Sequence, residues 1–381
     1  MSLSVVVGSA FVAKYPEGGG SAWVPLQYLR GFRDLGCEAC WLEVLESSGD
    51  EAVDRTFIET FLLRAEELGI AGWVALAFYP DGVGVPGHRQ VHGMDARELD
   101  ARCRDALLLN LTGSLNEALR APFARTILFD IDPGLFQIWA SQWGMGVGRH
   151  DVHLTIGQHL GAPDSSIPLC GVEWVKTWPA VHLPSWPVVD RAGEAYTTVT
   201  QWWSPESATF EGELYECSKR EGFAKVLDLP RRVPAPLELA ANIHPVERDE
   251  IALFTSHGWR LVAPEAEVRT PQQFRQYVQR SRGEFSCAKP AYVKGRTGWL
   301  SDRSVCYLAS GLPCVLEDTR AAAHLPSSLA LQFFSDEREA AEALLAVERD
   351  FPRARREARR LAEELFSTDV LLPQILRAAG A

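Results

Sequence analysis

Short, wholly apolar runs alternate along this chain with amphipathic stretches of helical period. Leu3–Gly8 (LSVVVG) is the first such run, of the kind buried on both faces of a parallel sheet. A glycine-rich turn follows at Tyr15–Trp23, with Ser21 as a candidate N-cap. The helix after it turns Val24, Leu26, Tyr28, Leu29 and Phe32 inward and stops at Gly36. Cys37–Leu45 supplies a second strand, which completes a βαβ unit. The same alternation predicts helices over Thr56–Leu68, Ala96–Ala106 and Leu115–Arg120. It predicts strands over Gly72–Ala77, Leu107–Leu111, Arg125–Phe129 and Val152–Thr155.

Pro168–Pro187 breaks the rhythm with four prolines and three tryptophans, an ordered crossover between two domains. A second block then predicts strands at Tyr196–Trp203, Leu237–Ala241, Trp259–Val262, Phe285–Ala288 and Pro313–Leu316. Helices are expected at Gly212–Glu221, Pro245–His257, Thr270–Ser281 and Asp302–Ala309, and over most of the last 50 residues. The pattern is α/β, in two halves.

Composition narrows the classes open to this chain. Its 381 residues, 46% of them hydrophobic, suffice for two domains. The formal charge of −12 argues against a broad basic face for duplex nucleic acid or anionic membrane. The longest apolar run, Ile70–Tyr79, is half of the roughly 20 residues a membrane helix needs. The first 20 residues show no basic leader before an apolar core, so a cytoplasmic chain is expected. Eight scattered cysteines do not make a disulfide scaffold. Cys37 and Cys40 lack a second C-x-x-C to complete a zinc site, and His150 and His153 lack further ligands, so no metal is expected.

In open parallel sheets ligands lie beyond the carboxyl ends of the strands, so the loops that follow strands are the candidates. The first is Glu17-Gly18-Gly19-Gly20-Ser21. Its glycines let a ligand reach backbone amides at a helix N-terminus, while a flexible tight turn is the plainer reading. Its spacing is not G-x-G-x-x-G, and no G-x-x-x-x-G-K-[ST] occurs in the chain, which argues against dinucleotide and P-loop enzymes. The second is Asp130-Ile-Asp132-Pro133, where a carboxylate is either a general base or a cap for the helix that Pro133 opens. The third is Arg282–Asp318. Between 282 and 303 it sets Arg282, Lys289, Lys294, Arg296 and Arg303 against Glu284 and Asp302, a net of +3 in an acidic chain. Such a pocket suits a small anion such as a diphosphate. Ser301 opens a helix whose free amides add to it, and Glu317-Asp318 are placed to take sugar hydroxyls.

Ser301-Asp-Arg-Ser-Val-Cys-Tyr-Leu-Ala-Ser-Gly-Leu-Pro313, followed by Glu317-Asp-Thr319, resembles the carboxyl-terminal half of bacterial GT-B glycosyltransferases. More closely it resembles a group of family-1 glycosyltransferase-like proteins. Ser281–Ser286 with Ala288-Lys289, Gly19-Gly20 with Trp23, Asp130–Pro133, and His150-Asp-Val with Thr155 and Gly157 are similar to the same group. The resemblance implies an α/β architecture of two Rossmann-like domains facing a cleft. Residues 1–185 would form the acceptor side, 186–365 would hold a nucleotide sugar, and 366–381 would pack back on the first domain.

Carried over, Arg282, Lys289, Arg296, Ser301, Asp302 and Arg303 would bind the donor, with Glu317 and Asp318 at its sugar. Glu17 or Asp132 would be the base, and Gly19, Gly20 and Ser21 the acceptor-side loop. In that group a histidine follows the paired glycines where this chain has Ser21, so the base stays open.

The resemblance implies no metal and no cofactor, the UDP- or dTDP-sugar being a co-substrate. The expected acceptor is a small molecule of the natural-product kind, with no nucleic-acid partner, no membrane span, and a monomer or homodimer. Trp23, Trp139, Trp143, Trp202 and Trp203 are candidates for an apolar acceptor cleft or for core. Inversion is expected, because Ser310 stands where an acidic partner of Glu317 would mark a retaining enzyme. Arg303→Ala should weaken donor binding with the fold intact. The competing reading is a catalytically inactive nucleotide-binding or assembly protein of the same fold.

Overall fold

A computed structural model describes residues 2–83, 89–244 and 246–381. Among these, eight strands form one sheet: β1 (Ser4–Ser9), β2 (Glu38–Glu46), β3 (Val74–Tyr79), β4 (Gln90–His92), β5 (Leu107–Leu111), β6 (Arg125–Asp130), β7 (Val152–Thr155) and β8 (Val175–Lys176). Their order is β4-β3-β2-β1-β5-β6-β7-β8, parallel except for the antiparallel edge strand β4. After β9 (Tyr196–Thr200) comes a hairpin of β10 (Ser207–Phe210) and β11 (Glu213–Glu216). Then follow β12 (Leu237–Ala241), β13 (Arg260–Val262), β14 (Gly283–Ser286), β15 (Cys314–Glu317) and β16 (Leu331–Phe334). The second sheet, all parallel, is β13-β12-β9-β14-β15-β16.

With the edge strands β4 and β8 set aside, both sheets have one order. The first strand sits beside the fourth, and the second and third run off the other way. This is the doubly wound arrangement, and its reversal opens a crevice at the carboxyl ends of the two central strands. One crevice lies at β1 and β5, the other at β9 and β14. The strands are largely apolar because helices cover both faces: Val5, Val7, Leu107, Leu109 and Leu111 are buried in one sheet, Tyr196, Leu239, Phe285 and Val315 in the other.

The crossover is ordered: it supplies β8 and buries Trp174 and Trp186. The closing helix Thr368–Ala378 lies against Trp23–Asp34. A Cβ on Gly31 would stand 2.6 Å from Leu372 and Thr368 side-chain atoms, so glycine is what lets these helices touch. Among the described residues no helix is long and apolar enough to cross a membrane, and the eight cysteines are free.

Several expectations from the pattern are corrected. The helix expected at Gly212–Glu221 is confined to Arg220–Ala224; the span opens instead on the β10–β11 hairpin, whose turn residues Glu211 and Gly212 have φ of 51° and 81°. Two left-handed residues make the turn that suits the strand twist, and such short strands leave too few alternations to read. The helix expected from Thr56 begins at Glu51, because Asp50 accepts hydrogen bonds from Ala52 N and Val53 N. The strand placed at Phe285–Ala288 starts two residues earlier, and β16 precedes the expected terminal helices. The helix expected from Pro245 runs over Arg248–Ser256, and Pro245 itself lies outside the described residues.

Candidate active site at the interdomain cleft

At the β9–β14 crevice the central residue is Arg303, in the first turn of the helix Asp302–Ala309. Its guanidinium donates to Glu284 Oε1 (2.6 Å), to Val199 O at the end of β9 (2.9 Å) and to Ser286 Oγ at the end of β14 (2.9 Å). Glu284 is fully buried, so this ion pair ties the two central strands together. Ser301 caps the helix by accepting from Arg303 N (3.2 Å). A small pocket opens here, lined by Ser286, Ala288, Trp299, Ser301, Arg303 and Glu317. Glu317 Oε2 accepts from Ala288 N (3.0 Å), and burial pushes its carboxyl above the usual range. The structure thus brings Ser301, Arg303 and Glu317 to one cavity.

Sequence reasoning missed Lys219. It follows the hairpin that was read as a helix, and no local pattern marks a lysine for burial. Its side chain is buried, with its ammonium 5.7 Å from the centre of the Trp299 ring, and it has no hydrogen-bond or ion-pair partner among the described residues. Burial lowers its pKa to about 7, and the neighbouring charges of Arg303 and Lys289 push the same way.

Beside β1 the loop amides are satisfied from within the chain. Glu43, near the end of β2, accepts from Val12 N (2.7 Å), Ala13 N (2.9 Å) and the Ser9 hydroxyl. It is fully buried, which raises its pKa. These amides, which in a nucleotide site would face a phosphate, face the chain's own carboxylate.

The glycine loop packs on the second domain. A Cβ on Gly19 would lie 2.3 Å from Thr270 O, and one on Gly20 would lie 2.8 Å from the Phe274 ring, so both glycines permit contact with the second domain. Ser21 does not cap the helix: its hydroxyl donates to Gly18 O (2.6 Å), and Ala22 stands at the cap without a side-chain bond. Glu17 is half-exposed and pairs with Arg269 (2.7 Å).

Asp130, fully buried, accepts from Thr155 Oγ1 (2.7 Å), Gln137 Nε2 (2.7 Å) and Asp132 N (2.9 Å). Burial pushes its carboxyl up to about 7 despite those bonds. Asp132 does not cap the next helix. Gln137 does so by accepting from Gly134 N (2.6 Å), while the Asp132 carboxylate takes the Tyr292 hydroxyl and, at 3.2 Å, Lys289 Nζ.

Asp302 lines a second small pocket, shared with Arg303, against Trp23, Gln27 and Tyr28 of the first domain. Arg282 precedes β14, at the amino end of the sheet, and pairs with Glu348 (2.5 Å). Arg296 pairs with Asp164 (3.1 Å), as does Arg320 (3.0 Å). The Asp164 carboxyl is held far below the usual range by its bonds from His159, Arg320 and Arg296. Asp318 accepts from Arg320 N (2.9 Å) and Ala322 N (3.2 Å).

The tryptophans line no common cleft. Trp202 is core of the second domain, Trp23 donates to Pro271 O (2.9 Å) across the boundary, and Trp143 is 70% exposed. Gly82-Val-Gly84-Val-Pro-Gly87 has the G-x-G-x-x-G spacing, but it leads to the edge strand β4 and not to a helix; Gly84–His88 lie outside the described residues. Among the described residues no cluster of three His, Cys, Asp or Glu side chains is arranged to hold a metal ion.

No protein-family model and no curated protein sequence matches the chain. Solved structures do. An alpha-glucosyltransferase in complex with UDP matches at 10% identity over 100% of both chains, with a TM-score of 0.59. Anabaena HepE in complex with UDP and glucose matches at 10% identity over 99% of both chains, also with a TM-score of 0.59. A glycosyltransferase from Rickettsia africae matches at 9% identity over 99% of this chain and 98% of its own, with a TM-score of 0.53. The fold is GT-B.

The GT-B comparison corrects one expectation. The alpha-glucosyltransferase has also been solved with UDP-glucose and DNA, matching over 100% of both chains at 10% identity and a TM-score of 0.57. A net charge of −12 therefore does not exclude a nucleic-acid partner on this fold, nor does it select a small-molecule acceptor. Net charge sums over the whole surface, whereas binding is decided by the field at one face.

Proposed function

We propose that this chain transfers a glycosyl group from a UDP- or dTDP-sugar to an acceptor hydroxyl. One observation carries the reading: Lys219, buried over the Trp299 ring with no ion-pair partner among the described residues, feels the charge of Arg303, which stands in the first turn of Asp302–Ala309 at the β9–β14 crevice. In the reaction the bond from the anomeric carbon to the diphosphate oxygen breaks as the acceptor oxygen attacks. The acceptor proton goes to a carboxylate, Asp132 or Glu17. Lys219, Arg303 and the helix amides take up the charge that grows on the leaving phosphate.

A single displacement gives inversion, and Ser310 in place of an acidic partner for Glu317 supports it. Metal independence and kinship with family 1 rest on the Ser301–Thr319 motif.

Lys219→Met tests the reading. The variant should keep its circular dichroism and melting temperature while its affinity for UDP or dTDP falls at least about tenfold in calorimetry. Unchanged affinity overturns the site. The product's anomeric configuration by NMR decides between inversion and retention. A binder without turnover is favoured by one fact, that Glu17 and Asp132 both sit in ion pairs. Transfer of sugar from a labelled donor excludes it.

A further inference from the structure

Asp132 belongs to the first domain, yet the groups that hold it come from the second. Lys289 Nζ approaches its two carboxylate oxygens at 3.3 and 3.2 Å, and the Tyr292 hydroxyl donates to Oδ1. Lys289 stands three residues beyond the end of β14, at the start of the helix Pro290–Lys294. Tyr292 packs on Trp299, ring centres 4.6 Å apart, and Trp299 lines the donor cavity and carries Lys219 over its face. Lys289 is therefore placed between an acidic group of one domain and the cation cluster of the other. One ammonium cannot neutralise both Asp132 and an incoming diphosphate, and in a buried site the surplus charge is costly.

We propose that Lys289 is shared: it pins Asp132 while the donor cavity is empty, and it turns to the diphosphate when donor binds. Tyr292 is then the positioning residue that keeps Asp132 oriented after the lysine leaves. The carboxylate becomes free to accept the acceptor proton only with donor in place, so donor binds before acceptor can react. The inference rests on the glycosyl-transfer reading above and adds the order of events at that site.

The test measures UDP affinity by calorimetry, with uridine as the control that lacks phosphates. Asp132→Asn keeps the shape and removes the competing charge, so UDP should bind roughly fivefold to tenfold tighter while uridine is unchanged. Tyr292→Phe keeps the Lys289–Asp132 pair, so its UDP affinity should stay at the wild-type value, and its turnover should change in pH profile more than in KM.

Lys289→Met should weaken UDP binding, and adding Asp132→Asn to it should give no tightening, since the two substitutions act through one pair. The proposal is overturned if Asp132→Asn leaves UDP affinity unchanged or weaker. It is equally overturned if Tyr292→Phe tightens UDP as much as Asp132→Asn, for the gain would then report a loosened cleft. Should Asp132→Asn not fold, Lys289→Met with unaltered UDP affinity is sufficient to reject it. Wild-type protein that binds neither UDP nor dTDP defeats the underlying functional reading instead.

Discussion

At the crevice beside β1 the amides of Val12 and Ala13 meet Glu43, an anion the chain supplies itself; at the crevice beside β9, Arg303 is paired with Glu284 while Lys219 has no ion-pair partner among the described residues. The strand order is the same in both. Topology makes a crevice, and a single buried side chain decides whether it stays available for an anion. The same division runs across the cleft. The first half contributes Glu17, Asp132 and Asp164, and the second answers with Arg269, Lys289, Arg296 and Arg320. The acidic side suits proton transfer and the basic side suits a leaving phosphate.

Four changes would break or sharpen that contrast. Arg303→Ala has the largest expected effect. It strands Glu284, fully buried, without its counter-ion, at a cost of about 3–5 kcal/mol in denaturant unfolding. This corrects the expectation that the fold would survive that substitution unharmed; a stability loss under about 1 kcal/mol would mean the pair is not structural.

Glu43→Gln comes next. It keeps one acceptor for the two amides but turns an amide toward the Trp41 Nε1–H, which now donates to Glu43 Oε2 at 3.2 Å. About 1–3 kcal/mol should be lost, and an unaltered unfolding midpoint would show that the loop after β1 is not held by charge.

Gly19→Ala tests whether the glycine loop serves domain contact. Its Cβ would meet Thr270 O at 2.3 Å and Val268 O at 2.4 Å, so the halves must part. A loss of about 1–3 kcal/mol is expected, with a larger radius of gyration in X-ray scattering. Wild-type dimensions and stability would return the loop to a ligand-facing role.

The smallest effect is a fraction of one proton. With Lys219 near 7 in the empty site, a bound diphosphate raises its proton affinity, so UDP binding at pH 8 should take up a proton. The uptake should vanish below about pH 6, where Lys219 is already charged, and affinity should fall as pH rises above 7. Calorimetry in buffers of different ionisation enthalpy reads this directly, and proton release at pH 8 would contradict it.

What local sequence determined here is what local physics can carry. Apolar runs of sheet type, the Thr270-Pro271 and Ser301 caps, and the left-handed stops at Gly36 and Gly311 mark the two α/β halves and most element positions. The net positive stretch before Arg303 runs into the helix that starts at the β9–β14 crevice, and strand ends and helix starts are local features. The tertiary structure alone decided which charges remain for a ligand. Arg303 is largely spent on Glu284, Arg282 on Glu348 at the far edge, and Arg296 on Asp164, 132 residues away in sequence. Lys219 entered the site only because a hairpin too short to read folds it under Trp299. Pairing and desolvation depend on distances through space, and a chain of letters does not contain them until it folds.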